Sequence, residues 1–174
     1  ALPIFGSFNL EVARHLLESG VDMLCFCDDL GSDKSLLISP QLYREFFRPW
    51  HGRLAELCHS YGAILHMHSH GNIKAIMDDL YEIGIDLLNP VDPSEEMDMA
   101  SLVEAYGDTI TFAGGINKFF FEWNEEAQWE YLKHLYASVQ HGFFLMDSGG
   151  IPEQVNQEHW ERFKRMKQEL ALNR

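Results

Sequence analysis

Apolar and polar positions along this chain alternate between two periods. Stretches with an apolar residue every three or four positions give way to a glycine and then to a short, near-continuous apolar run. The arrangement recurs around Gly20, Gly62, Gly84, Gly107 and Gly142. The apolar runs Val21 to Cys27, Ala63 to His68, Ile85 to Asn89, Thr109 to Gly114 and Phe143 to Met146 read as buried strands. The helical period predicts helices over about 8–19, 40–61, 73–83, 98–106, 124–141 and 156–171. Each glycine is expected to adopt the left-handed turn that closes a helix. Ser39 before Pro40 marks a helix start, and Asn72, Asp98, Asn124 and Asn156 are further N-cap candidates.

Helices alternating with near-continuous apolar strands predict an α/β fold with a parallel sheet. A doubly wound sheet and a (β/α)8 barrel both satisfy that pattern, and the strand ends separate them. The strands run out into Asp28-Asp29-Leu30-Gly31, His68-Ser69-His70-Gly71-Asn72, Asn89-Pro90-Val91-Asp92, Gly114-Gly115-Ile116-Asn117 and Asp147-Ser148-Gly149-Gly150. Polar groups at every C-terminal strand end fit a barrel mouth, where all the βα loops converge. An open sheet would concentrate them at one switch point, and there is no GxGxxG or P-loop. The barrel is the expected architecture.

Composition narrows the partners. The 174 residues suit one domain, with no linker or low-complexity run dividing 1–174. A formal net charge of −14 opposes encounter with nucleic acid or an anionic membrane. No apolar run approaches the roughly 18 residues of a membrane span. Three cysteines, Cys25, Cys27 and Cys58, do not form a disulfide framework, so a reducing cytoplasm is expected. The chain opens on Ala1 rather than Met, as a processed or truncated piece of a longer protein would.

The sharpest chemical signal is His66-Met67-His68-Ser69-His70. Alternate residues of a strand share a face, so His68 and His70 point the same way with Cα atoms roughly 7 Å apart. Two imidazoles so placed can chelate one Zn²⁺, or serve as ordinary hydrogen-bonded pocket residues. His66, deeper on that face, is expected in the core. Of Asp28 and Asp29 only one can enter the mouth; if it is Asp29, Cys25 and Cys27 share its face. Asp147 and Ser148 are either site residues or loop hydrogen bonders. The stripe Phe119, Phe120, Phe121 and Trp123 is a flat ligand surface, a packed lid or a contact with missing chain. Glu125, Glu126 and Glu130 read as a solvated helix face.

The order DDLG, SPQLYREFFRPW, HMHSHGN, EIGIDLLNPVDP, GGIN and SGGIPEQV, from about Leu10 to Arg174, resembles the uroporphyrinogen decarboxylase superfamily. The resemblance implies a partial (β/α)8 TIM barrel, about the last five strand–helix units, with no counterpart here to the first strands or their active-site loop. The chain looks closer to the corrinoid-dependent methyltransferases than to the tetrapyrrole decarboxylases. Gly114-Gly115-Ile116-Asn117 stands where the decarboxylases carry Gly-Asn-Leu-Asp-Pro, and Ser148-Gly149-Gly150 where they carry Gly-His-Gly. The methyltransferase branch holds zinc by His-x-Cys and a distant Cys. His68 matches the first ligand, His70 replaces the first Cys, and Gly149 stands at the distant one, which leaves Asp29 or Asp147 as replacement oxygen donors.

The implied reaction moves a methyl group between a cobalt corrinoid, as in methylcobalamin, and a small thiol or related methylated molecule. Zinc on His68 and His70 would hold the thiol as thiolate. His in place of Cys leaves the metal more positive, which eases thiol deprotonation and weakens the thiolate as a nucleophile. Asp29 and Asp147 are the expected catalytic groups, and Asn89 and Asn117 the expected cofactor-binding ones. A corrinoid protein, a second copy, or a complementing N-terminal chain are the expected macromolecular partners. Two other readings stand beside this one. A uroporphyrinogen decarboxylase-type lyase would need mouth cations, of which Lys118 is the main one. A non-catalytic barrel fragment would serve only to bind a partner.

Overall fold

A computed structural model describes residues 2–139, 141–148, 153 and 155–172. Five parallel strands, β1 (Met23–Cys27), β2 (Ile64–His68), β3 (Leu87–Val91), β4 (Thr111–Ile116) and β5 (Phe143–Asp147), lie side by side in chain order. The helices between and around them are α1 (Leu2–Glu18), α2 (Pro40–Phe46), α3 (Arg48–Ser60), α4 (Met77–Ile83), α5 (Met99–Tyr106), α6 (Glu125–Ser138) and α7 (Gln157–Leu172). Sequential order with no reversal gives a barrel wall rather than a doubly wound sheet. Among the described residues no helix is long and apolar enough to cross a membrane.

Strand parity decides which face is covered. Leu24, Leu65, Met67, Leu88 and Phe112 point to one side and are buried in a single cluster with Ala13 and Leu17 of α1, Ala55 and Cys58 of α3, and Leu80 of α4. Each fully buried side chain of this size contributes about 1.5–3 kcal/mol relative to exposure. Met23, Ile64, Phe144 and Met146 have the opposite parity and are exposed, with Cys25 and Cys27 beside them. The sheet therefore has a helix-covered face and an open, largely apolar one.

Three of the expected helices differ from the sequence pattern. The helix α1 starts at Leu2, well before residue 8, because Pro3 sits where a helix has no N–H bond to lose. It continues through Gly6 because the Trp50 ring packs there, 2.3 Å from where a Cβ would stand. The single helix expected over 40–61 is two. Pro49, in the first turn of α3, has no N–H to continue the ladder of α2, and Phe47 joins the two at φ −104°. The helix after β2 opens as a 3₁₀ turn, Lys74–Ile76, before α4. Gly107 is right-handed, at φ −71°, so its expected left-handed turn is absent. Ser39, Asp98 and Asn124 do accept N-cap bonds from Leu42, Ser101 and Ala127.

Candidate functional site

The cluster at the C-terminal strand ends grows from the register of β1, β2 and β3. Cys27 stands opposite His68, and His68 opposite Asn89. Beyond the strands the loops continue the pairing: Asp28 N–H donates to the His68 carbonyl (3.2 Å), Gly31 N–H to that of His70 (3.1 Å) and Ser69 N–H to that of Asn89 (2.8 Å). The His68 and His70 rings stand edge-on with centroids 5.0 Å apart.

Each ring has a carboxylate near it. The Asp29 carboxylate lies 3.9 Å from His68 Nε2 and also accepts the His70 backbone N–H at 3.0 Å. Glu95 Oε1 lies 3.5 Å from His70 Nδ1, and its other oxygen accepts the Gly71 N–H at 2.8 Å. The two acids differ in setting: the Glu95 side chain is 8% exposed and that of Asp29 60%. Behind the rings, the buried Asn89 Oδ1 accepts from His66 Nε2 (2.5 Å) and from His68 Nδ1 (3.2 Å), while its Nδ2 is 3.9 Å from the Met146 sulfur. His66, expected in the core, is instead half-buried and part of this cluster.

Asp28 turns away from Asp29, as adjacent strand-end residues must. Its Oδ2 accepts from His51 Nε2 (2.9 Å), and Tyr43 donates to His51 Nδ1 (3.2 Å). Burial, with Asp79 nearby, pushes the Tyr43 phenol well above its usual value, so it remains a donor. Cys25 and Cys27 lie on the open face; partial burial, then the charge and hydrogen bond of Cys27, raises the Cys25 thiol, so it is neutral at pH 7.

The other expected site residues are placed elsewhere. Asp147 shares strand parity with Phe143 and Leu145, which pack towards the helices, and not with Met146, which faces Asn89. Asn117 Oδ1 accepts the Phe119 N–H at 2.9 Å in a local turn after β4. The buried Ser148 hydroxyl donates to the Ile116 carbonyl at 2.7 Å, a loop tie. Phe120 and Phe121 are buried against Leu132, Phe163 and Met166, so these two rings of the aromatic stripe are packed, while Phe119 is exposed. Lys118 Nζ is 3.3 Å from Asp33. Gly149 and Gly150 lie outside the described residues.

Among the described residues no group of three or more His, Cys, Asp or Glu side chains is placed to hold a metal ion. Catalytic zinc sites use three protein ligands, and this arrangement offers two imidazoles. The expected zinc therefore does not fit the described donors as they stand. Sequence reading missed Glu95 and His51. Nothing marks Glu95 among the 27 acids of the chain. His51 had a signal: it lies on the buried stripe Phe47, His51, Ala55, Cys58, where a polar residue needs a partner.

The family model described as uroporphyrinogen decarboxylase (URO-D) matches residues 1–169. No curated protein sequence matches the chain. Among solved structures, a methyltransferase from Methanosarcina mazei superposes with TM-score 0.70 at 19% identity, over 95% of this chain and 47% of the other. The chain thus spans about half the length of that methyltransferase. A dihydropteroate synthase from Anaplasma phagocytophilum, with bound 6-hydroxymethylpterin-monophosphate, gives TM-score 0.61 at 14% identity over 99% and 69% of the two chains. The citrate synthase SbnG gives 0.51 at 12% identity over 94% and 69%. At these identities the likeness is one of fold.

Proposed function

Because the chain belongs to the uroporphyrinogen decarboxylase family, we propose that its strand-end cluster serves methyl transfer between a corrinoid and a small thiol. The observation that carries the reading is the pair of edge-on imidazoles, His68 and His70, each with a carboxylate within 4 Å, at the end of an open apolar sheet face. The fold shared with a methyltransferase supports it.

The chemistry follows from the residues. A thiol is a poor nucleophile until its proton leaves, with a free pKa of about 8.5. His68 takes that proton, and Asp29, 3.9 Å from Nε2, favours the imidazolium that forms. The thiolate sulfur then bonds to the methyl carbon as the carbon–cobalt bond breaks, and the electron pair stays with the corrinoid. The exposed Phe144 and Met146, the latter beside Asn89, supply an apolar surface for a flat macrocycle. The described donors are one short of a catalytic zinc site. Near-equimolar zinc in untagged protein, lost in His70→Ala, would place the ion at this pair and replace the base mechanism.

The test is methylcobalamin with 2-mercaptoethanol, followed by the visible spectrum. Thiol-dependent demethylation that falls about 10²–10⁴-fold in His68→Ala supports the proposal. Uroporphyrinogen should remain unchanged, since Gly114-Gly115-Ile116-Asn117 and Ser148-Gly149-Gly150 stand where the decarboxylases carry their own loops. Decarboxylation without corrinoid turnover would overturn the proposal in favour of the lyase. Inactivity in both assays would leave partner binding.

A further inference from the structure

Asn89 touches the rings of two of the three histidines in the cluster, and it does so through a single atom. Its Oδ1 lies 2.5 Å from His66 Nε2 and 3.2 Å from His68 Nδ1. A carboxamide oxygen has two lone pairs and no proton, so both rings must present an N–H to it. The opposite amide orientation would turn a donor towards each ring and the oxygen towards the Met146 sulfur, which has nothing to give. Asn89 is also 4% exposed, so water does not compete for that oxygen.

We infer that Asn89 is a positioning residue that fixes the tautomer of His68: the proton is held on Nδ1, and the Nε2 lone pair is left facing Asp29 and the open mouth. An unconstrained histidine side chain in water prefers the other tautomer, with its proton on Nε2, and such a ring would offer the substrate a donor where the proposed reaction needs an acceptor. His66 is fixed in the reverse sense, with its proton on Nε2. The shared oxygen thereby makes the two rings, two residues apart on one strand, opposite tautomers. The consequence for turnover rests on the methyl-transfer reading; the tautomer assignment does not.

The experiment is imidazole ¹⁵N–¹H multiple-bond NMR of ¹⁵N-histidine-labelled protein at pH 9. Signals are assigned by loss in His66→Gln and His68→Gln. The expected result is an Nδ1–H pattern for His68 and an Nε2–H pattern for His66 in the unaltered chain. In Asn89→Leu the His68 signal should move to the Nε2–H pattern; in Asn89→Asp, which keeps an acceptor at that place, it should not. An Nε2–H pattern for His68 in the unaltered chain overturns the inference, and needs no variant to fold. So does an Asn89→Leu spectrum that matches the unaltered one. Demethylation should fall about 10–100-fold in Asn89→Leu and recover in Asn89→Asp. If the unaltered protein has no such activity while the spectra are as expected, the methyl-transfer reading fails and the role of Asn89 stands.

Discussion

Gly31 and Gly71 meet backbone to backbone. A Cβ on Gly71 would lie 2.2 Å from the Gly31 carbonyl carbon, and one on Gly31 would lie 2.5 Å from that of Gly71. This contact presses the loop after β1 onto the loop after β2, and so delivers Asp29 to the His70 N–H.

Alanine at either position must force the loops apart. Gly71→Ala adds strain, since φ there is +87°. Gly71→Ala is expected to lower stability by about 2–4 kcal/mol in urea unfolding. Gly20→Ala, at φ +89° with open space around it, isolates the backbone cost and should lose about 1 kcal/mol. Equal losses at the two positions would show that the loop contact contributes nothing.

The acid at the start of α5 sets part of the pH dependence. The Ser101 hydroxyl, and then its backbone N–H, hold the Asp98 carboxyl below its ordinary value. A carboxylate with a depressed folded pKa stabilises the fold above its unfolded pKa, about 3.9, and that contribution disappears as pH falls through the folded value. Asp98→Asn keeps a cap acceptor without the charge, so its urea midpoint should fall less than that of the unaltered protein between pH 4 and pH 2.5. Asp98→Ala should cost about 1 kcal/mol at pH 7. Parallel acid limbs for Asp98→Asn and the unaltered chain would remove Asp98 from the account.

Glu95 and His70 make an asymmetric pair. Removing the acid in Glu95→Ala leaves the buried Gly71 N–H without its acceptor, a loss of about 1–3 kcal/mol. Removing the base in His70→Ala leaves Glu95 still bonded to Gly71. Thermal or urea unfolding should therefore rank Glu95→Ala as the less stable variant. The reverse ranking would mean that the ring, and not the backbone bond, holds Glu95.

The open sheet face predicts self-association. Phe144 is 61% exposed and Met146 39%, between strand edges that pair readily. Sedimentation velocity of the 174-residue chain should show dimers or larger species at micromolar concentration, reduced in Phe144→Gln with Met146→Gln. A compact monomer at high micromolar concentration would contradict this.

The alternation of elements was legible because two periods and the helix-ending turns are local signals. The histidine pair was legible because strand parity puts His68 and His70 on one side. That same parity places Asp147 with Leu145, a reading lost when every polar strand end was assigned to the mouth. Pro49 carried the helix break, yet the apolar stripe of Phe47, His51 and Ala55 hid it. Glu95 and Asn89 acquire their roles only through contacts with residues 24 and 21 positions earlier, and no spacing rule marks either.

The order of the strands along the sheet has a consequence for synthesis. Because β1, β2 and β3 pair in the sequence in which they leave the ribosome, Asp29, His68, His70, Asn89 and Glu95 are all present as soon as Glu95 has emerged. The Lys118–Asp33 tie, spanning 85 positions, must wait for β4. The reactive cluster can thus take shape on a nascent chain, with the later strands adding Met146 and the outer bracing afterwards.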